Sequence, residues 1–199
     1  MKLNRRSLFS ILTILLIGFT IISCEKEDEE EETVFPATDL GPVEVNRVRL
    51  IFSTEFNNIK TVEDTAEIYD PDGMGGNAPI ILDSLIIRRV NSANAAQFYV
   101  GDIQLLNGES DVTSTVRSND EDFIVCYRSF NTDELNLRLR DKDSDGITLG
   151  LGTEWNTKVA NTSGRGIIRV TVNYQPLRKN GLCDAGIRKF DYNIPYRLK

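Results

Sequence analysis

The sequence predicts an all-β fold, an antiparallel β-sandwich of about eight or nine strands, set behind a signal peptide and an acidic tether. From Val43 onward apolar and polar residues alternate in short segments, the period of a half-buried strand. Gly, Asn, Asp and Pro punctuate those segments at the spacing of a sandwich. No stretch of about ten residues repeats its apolar positions at helical spacing, so helices are expected to be short.

The chain opens on Lys2, Arg5 and Arg6, and an apolar run follows from Leu8 to Ile22, interrupted by Ser10, Thr13, Gly18 and Thr20. A spanning helix needs about 20 apolar residues, whereas a signal core of about 7 to 15 ahead of a small residue suits cleavage. Ile21-Ile22-Ser23-Cys24 looks like a lipobox, which puts the cut before Cys24 and acyl chains on that cysteine. Residues 1–23 are therefore expected to be a lipoprotein signal peptide, with an ordinary signal or an uncleaved anchor as the alternative. Burial at about 0.8 kcal/mol per methylene makes more than one acyl chain a stable membrane anchor.

Residues 24–42 are expected to be the lipidated cysteine and a flexible tether. Glu25-Lys26-Glu27-Asp28-Glu29-Glu30-Glu31-Glu32 is a block of like charge that repels itself into an extended form. A lysine followed by acids just after the lipidated cysteine resembles the export signal of surface lipoproteins in Bacteroidetes-type bacteria. That resemblance implies an outer-membrane, cell-surface location; the alternative is a plain solvated spacer. Taking the signal's three basic residues from the total of 23 leaves 20 Lys and Arg against 30 Asp and Glu, a mature charge of −10. Nucleic acid is an unexpected partner at that balance, because phosphate binding needs a basic patch.

Residues 43–199 are expected to form a single β-sandwich domain, long enough to bury roughly two thirds of its unfolded surface. Val48, Leu50 and Phe52 share one face of the first strand. Val62, Ala66 and Ile68 follow the Asn57-Asn58 turn, and Ile80 to Val90 reads as one long apolar strand after Pro79. Further strands are expected at Phe98 to Leu106, Phe123 to Phe130, Leu135 to Arg140 and Thr153 to Val159. Near the end, Ile168, Val170, Val172 and Tyr174 alternate with polar residues, as do Phe190, Tyr192, Ile194 and Tyr196. Pro195 points to an edge, since it has no N–H for a ladder.

Four segments carry a family resemblance: Asp70-Pro71-Asp72-Gly73-Met74-Gly75-Gly76-Asn77-Ala78-Pro79, Tyr99-Val100-Gly101-Asp102-Ile103-Gln104-Leu105-Leu106-Asn107, Gly150-Leu151-Gly152-Thr153-Glu154-Trp155 and Val170-Thr171-Val172-Asn173-Tyr174-Gln175-Pro176. Together they resemble a family of small flavobacterial lipoproteins, over most of the mature chain. The resemblance implies location and fold more than activity. Some members are labelled as a type 1 periplasmic binding fold, a two-lobed α/β structure whose helices have no counterpart in this pattern. Relatives often carry histidine near the segment matching Asp120 to Tyr127 and at the position matching Tyr174; this chain has none.

The sharpest local chemistry is Asp141-Lys142-Asp143-Ser144-Asp145-Gly146-Ile147, carboxylates at alternate positions before a turn glycine. Hard Ca²⁺ takes several oxygen ligands, and Asp141, Asp143, Asp145 and the Ile147 carbonyl supply the first four of a calcium loop. The bidentate glutamate that such a loop requires is replaced by Gly152, with Glu154 two residues late. Asp70 and Asp72 in a second acidic turn complete the candidate set if the two loops meet. A bound Ca²⁺ is expected to be structural; the alternative at both places is a solvated turn in which Asp and Gly serve geometry.

Without histidine there is no Ser-His-Asp or Cys-His arrangement and no His-ligated zinc site. Neither G-x-S-x-G nor G-x-x-x-x-G-K occurs. No catalytic residue is assigned, and an enzyme is not expected. Cys126 and Cys183 lie in an oxidising compartment, where they either pair or stay as two buried thiols. Trp155, Tyr99, Tyr127, Tyr174, Tyr192 and Tyr196 sit in alternating strands, and most are expected in the core. The leading expectation is a non-enzymatic surface lipoprotein that binds a ligand or partner, as accessory to an outer-membrane receptor or uptake system; the rival is a structural or adhesive envelope module stabilised by calcium.

Overall fold

Val48, Leu50 and Phe52 alternate along β1 (Arg47–Phe56), and each is at most 1% exposed, so one side of this strand faces the core along most of its length. In the computed structural model, which describes residues 41–88, 97–129, 135–157, 164–177 and 179–199, the same alternation repeats strand after strand. The elements that follow are β2 (Ile59–Tyr69), β3 (Ile80–Ile81), β4 (Leu85–Ile87), β5 (Gln97–Asn107), β6 (Ser110–Asp111), α1 (Thr113–Ser118), β7 (Phe123–Ser129), β8 (Leu135–Leu139), β9 (Gly152–Thr157), β10 (Arg165–Tyr174) and β11 (Ile187–Leu198). The signal, Cys24 and the acidic run of the tether lie outside the described residues.

The strands form two sheets that make a curled, sandwich-like all-β arrangement, as the periodicity predicts. The larger runs β3-β2-β1-β5-β9-β8, with β6 paired to β5; the smaller runs β4-β11-β10-β7. Every pairing is antiparallel except β4 with β11, which is parallel. Between the sheets lie Phe52, Ile68, Leu105 and Trp155 from the larger and Val125, Ile168, Val170, Phe190 and Ile194 from the smaller. Phe52 and Trp155 have ring centroids 5.2 Å apart, and Tyr127 meets Trp155 edge-on at 5.9 Å. The aromatics are chiefly core residues: Trp155 is 0%, Tyr196 1%, Tyr99 3% and Tyr174 6% exposed.

The eleven strands exceed the number predicted. Ile80 to Val90 is not one strand. Ile80–Ile81 pairs with β2 in the larger sheet, whereas Leu85–Ile87 pairs with β11 in the smaller, and Leu82 to Ser84 carry the chain across. Glu67 fixes this crossing by accepting the N–H groups of Leu82 and Asp83 on its carbonyl, while the Asp64 carboxylate accepts the N–H of Ile86. A run of isoleucines and leucines reads the same whether one sheet or two bury it, so the break is invisible to periodicity. The two-residue β6 adds the remaining strand.

Two finer expectations also need correction. Val62 is 59% exposed, because the register of β1 and β2 shifts between Phe52 and Ser53 and the bulge takes Val62 off the stripe that Ala66 and Ile68 keep. Pro195 is on an interior strand, not an edge: β11 pairs with β10 along its length. The proline is nevertheless tolerated, because the pairing with β4 begins only at Tyr196.

Candidate functional site

The hairpin of β1 and β2 turns on Asn57 and Asn58, both at positive φ (50° and 62°), the conformation a two-residue turn requires and asparagine adopts most readily after glycine. Phe56 and Ile59 are the last cross-strand pair before it. By sequence parity Phe56 continues the core stripe of Val48, Leu50 and Phe52, yet it is 78% exposed and Ile59 69%. The hairpin therefore carries the core-facing stripe past the end of the core. Phe98, 54% exposed, lies beside the turn and lines with Asn57, Asn58, Arg140 and Glu154 an open concavity of about 530 Å³.

The two acidic turns have partners of their own. Asp141 accepts the N–H of Gly150 on Oδ1 and that of Leu151 on Oδ2, both at 2.9 Å. Those residues belong to the segment that joins the sheets: Ile103 of β5 donates to Leu151 O at 3.1 Å and Val125 of β7 donates to Leu149 O at 2.7 Å. Asp141 thus clamps a connection between layers. Asp143 accepts Ile147 N–H on Oδ1 at 2.7 Å and the Lys179 ammonium on Oδ2 at 2.7 Å. Lys179 also donates to the carbonyl of Asp120. Burial pushes the Asp143 carboxyl up, but the bonds from Lys179 and Ile147 outweigh it and hold the group below the ordinary carboxylate range. The Ile147 carbonyl accepts Asp143 N–H at 2.8 Å, and Asp145 is exposed.

In the other turn, the backbone N–H of Asn77 is the main cause holding the Asp72 carboxyl low, reinforced by the Asn77 side chain at 2.5 Å. Asp70 is 1% exposed; its Oδ2 accepts the Tyr192 hydroxyl at 2.5 Å and its Oδ1 has no hydrogen-bond partner. Burial, then that bond to Asp70, pushes the Tyr192 phenol up to about 12. Among the described residues no three Asp, Glu or Cys side chains are placed to share an ion. Lys179, missed by sequence reasoning, lies 36 residues from Asp143, and no spacing rule connects them.

Cys126 and Cys183 are paired, with an S–S distance of 2.00 Å. The bond fastens the segment after β10 across the outer side of β7 and β10. Asn173 supports it by donating to Cys183 O at 2.7 Å, and Gln175 by donating to Leu182 O and Ala185 O at 2.6 and 3.0 Å.

No known family, curated protein or solved structure matches this chain. The functional reading therefore rests on its own residues. Of the features above, the hairpin tip is the one where large apolar side chains at core parity meet solvent instead of protein.

Proposed function

We propose that the chain is a non-enzymatic, surface-exposed outer-membrane lipoprotein, anchored to the membrane through Cys24, that binds a membrane-protein partner as an accessory of a receptor or uptake system. The observation that carries this reading is the hairpin tip, where Phe56 and Ile59 are 78% and 69% exposed. Large apolar side chains held out at the hairpin turn favour a protein interface, because exposed apolar surface gains by being covered. The lipobox-like Ile21-Ile22-Ser23-Cys24 and the acidic run after it support the address.

The test is a pull-down of the tagged, lipidated protein from its native membrane in mild detergent, with co-purified proteins identified by mass spectrometry. A specific outer-membrane barrel at near-equal amount, lost when Phe56→Ser and Ile59→Ser are introduced together, is the expected result. Recovery of the lipoprotein alone would sink the accessory reading. Because both residues are exposed, the paired substitution is expected to move stability by no more than about 0.5 kcal/mol, which separates lost binding from lost folding.

A further inference from the structure

A sheet edge exposes unpaired main-chain groups, and proteins guard such edges with short strands, charge or cover. Three edges of this fold are guarded. β4 is three residues long, and β8 presents Asn136 and Arg138 to solvent. On the outer side of β7, Leu149 O accepts Val125 N–H at 2.7 Å. The fourth edge belongs to β2, because the two-residue β3 covers only Ile68 and Tyr69. Leu82 and Asp83 reach Glu67 O, and the Asp64 carboxylate accepts Ile86 N–H. From Ile59 to Glu63 no main chain among the described residues pairs with the outer side of β2.

The direction of the groups on that stretch follows from the turn. A two-residue hairpin is closed by a pair that exchanges both hydrogen bonds, here Phe56 and Ile59, so alternation turns the N–H and C=O of Lys60 and Val62 away from β1. The side chains leave these groups unguarded. Ile59 is 69% and Val62 59% exposed, and β2 contains no proline. Lys60 is the single basic residue of the strand, but its ammonium lies 2.7 Å from Asp102 of β5, drawn across β1 and away from the open side. Only another extended polypeptide carries N–H and C=O groups at the spacing such an edge requires.

We propose that two copies of this chain pair edge to edge, β2 against β2 and antiparallel, about a twofold axis at Thr61. The outward groups of Lys60 and Val62 flank Thr61, so Lys60 of each copy faces Val62 of the other and exchanges both main-chain hydrogen bonds with it. The axis makes the match reciprocal: one edge supplies what its copy needs. Thr61 then faces Thr61, a favourable cross-strand pair, Ile59 faces Glu63, and no like charges stand opposite each other. Val62 lies under the aliphatic stem of Lys60 from the second copy. The ladder ends at Glu63, which the register shift between β1 and β2 leaves without a partner on β1. A contact this short belongs with small, weak interfaces. It does not rest on the accessory reading, since Phe56 is on β1, one strand in from the edge.

The test is disulfide cross-linking of the full chain in its native membrane. Facing residues at a position without hydrogen bonds have Cα atoms about 4.5 Å apart, within the span of roughly 4.4 to 6.8 Å that a disulfide bridges. Thr61→Cys should therefore give a band at twice the mass of the chain after mild oxidation, lost on reduction. Adding Val62→Lys sets lysine against Lys60 twice and should lower the yield about tenfold. Asn136→Cys, on the β8 edge, should give no such band. Absence of the Thr61→Cys dimer, an equal yield with Val62→Lys or from Asn136→Cys, or cross-linking to a different protein would overturn the proposal. If a variant fails to fold, amide hydrogen exchange on the unaltered protein decides: protection of Lys60 and Val62 that rises with protein concentration supports the pairing, and fast exchange at every concentration refutes it.

Discussion

The Lys179 ammonium stands 2.7 Å from Asp143 Oδ2, with both side chains only 2% exposed, so a cation carried by the chain itself answers the buried carboxylate of the Asp141–Ile147 turn. Removing one member of a buried pair leaves the other charge without compensation. Lys179→Met is therefore expected to destabilise the protein by about 3 kcal/mol in urea unfolding. Adding Asp143→Asn should recover a large part of that loss, since the stranded charge goes with it. A double variant as unstable as the single would show that Lys179 acts through packing instead.

The same pair sets the expected response to calcium. Asp141 is bonded to two backbone N–H groups, Asp143 to Lys179 and Ile147, and the Ile147 carbonyl to Asp143 N–H. An entering cation would have to compete with the Lys179 ammonium, which already neutralises Asp143. The melting temperature is accordingly expected to be the same in chelator and in millimolar Ca²⁺. A rise of several degrees would place a structural ion here, and Asp145→Asn should then abolish it.

Pairing of Cys126 with Cys183 closes a loop across 57 residues. Restricting the unfolded chain over that length is worth about 4 kcal/mol. Replacing both cysteines by alanine, or reducing the bond, should lower unfolding stability by about that amount.

How much of this was legible depended on how local the cause was. The stripe Val48, Leu50, Phe52 and the alternation from Ile168 to Tyr174 read directly as strands, because a period of two follows from backbone geometry. The division of Ile80 to Val90 between sheets did not, since both destinations are apolar. Asp141 and Asp143 were recognisable as turn acids, but their partners are tertiary: Lys179 comes from another loop, and Gly150 and Leu151 from the segment bridging the layers. The hairpin tip left one signal. Phe56 and Ile59 flank Asn57-Asn58 and extend an apolar stripe beyond Ser53, where the pairing of β1 with β5 stops.

Stability should form a plateau bounded by identifiable groups. Arg169 is the main cause holding the Asp191 carboxyl below its ordinary range, Thr113 does so for Asp111, and Lys179 with Ile147 overcomes burial at Asp143. A depressed folded-state value contributes stability that is present above the unfolded-state value and is lost as pH falls through the folded one. Tyr192 works in the opposite direction: pushed up to about 12 by burial and Asp70, it contributes stability that is fully present below its ordinary value and is lost as pH rises toward the folded one. Urea midpoints should therefore decline on both sides. Tyr192→Phe should make the alkaline decline shallower and leave the acid side unchanged; an unchanged alkaline limb would remove Tyr192 from the account.

Gly150 lies in the segment that bridges the two layers, beside β7. Its φ is +86°, and a Cβ built there would lie 2.0 Å from the carbonyl oxygen of Val125. Neither obstacle is relieved by turning a side chain, because one is the backbone's own conformation and the other a fixed carbonyl of β7. Gly150→Ala must therefore push the bridging segment away from β7. That strains the bond from Val125 N–H to Leu149 O, the two bonds that Asp141 accepts, and the 2.8 Å bond from the Tyr127 hydroxyl to Gly150 O. Overpacking of this kind is expected to cost about 3 kcal/mol. It should also be visible locally, since Tyr127 packs edge-on against Trp155, the single tryptophan in the chain. A shift in Trp155 emission together with the lost stability is the expected signature. Full stability with unchanged emission would mean that the segment yields without strain and does not couple the sheets.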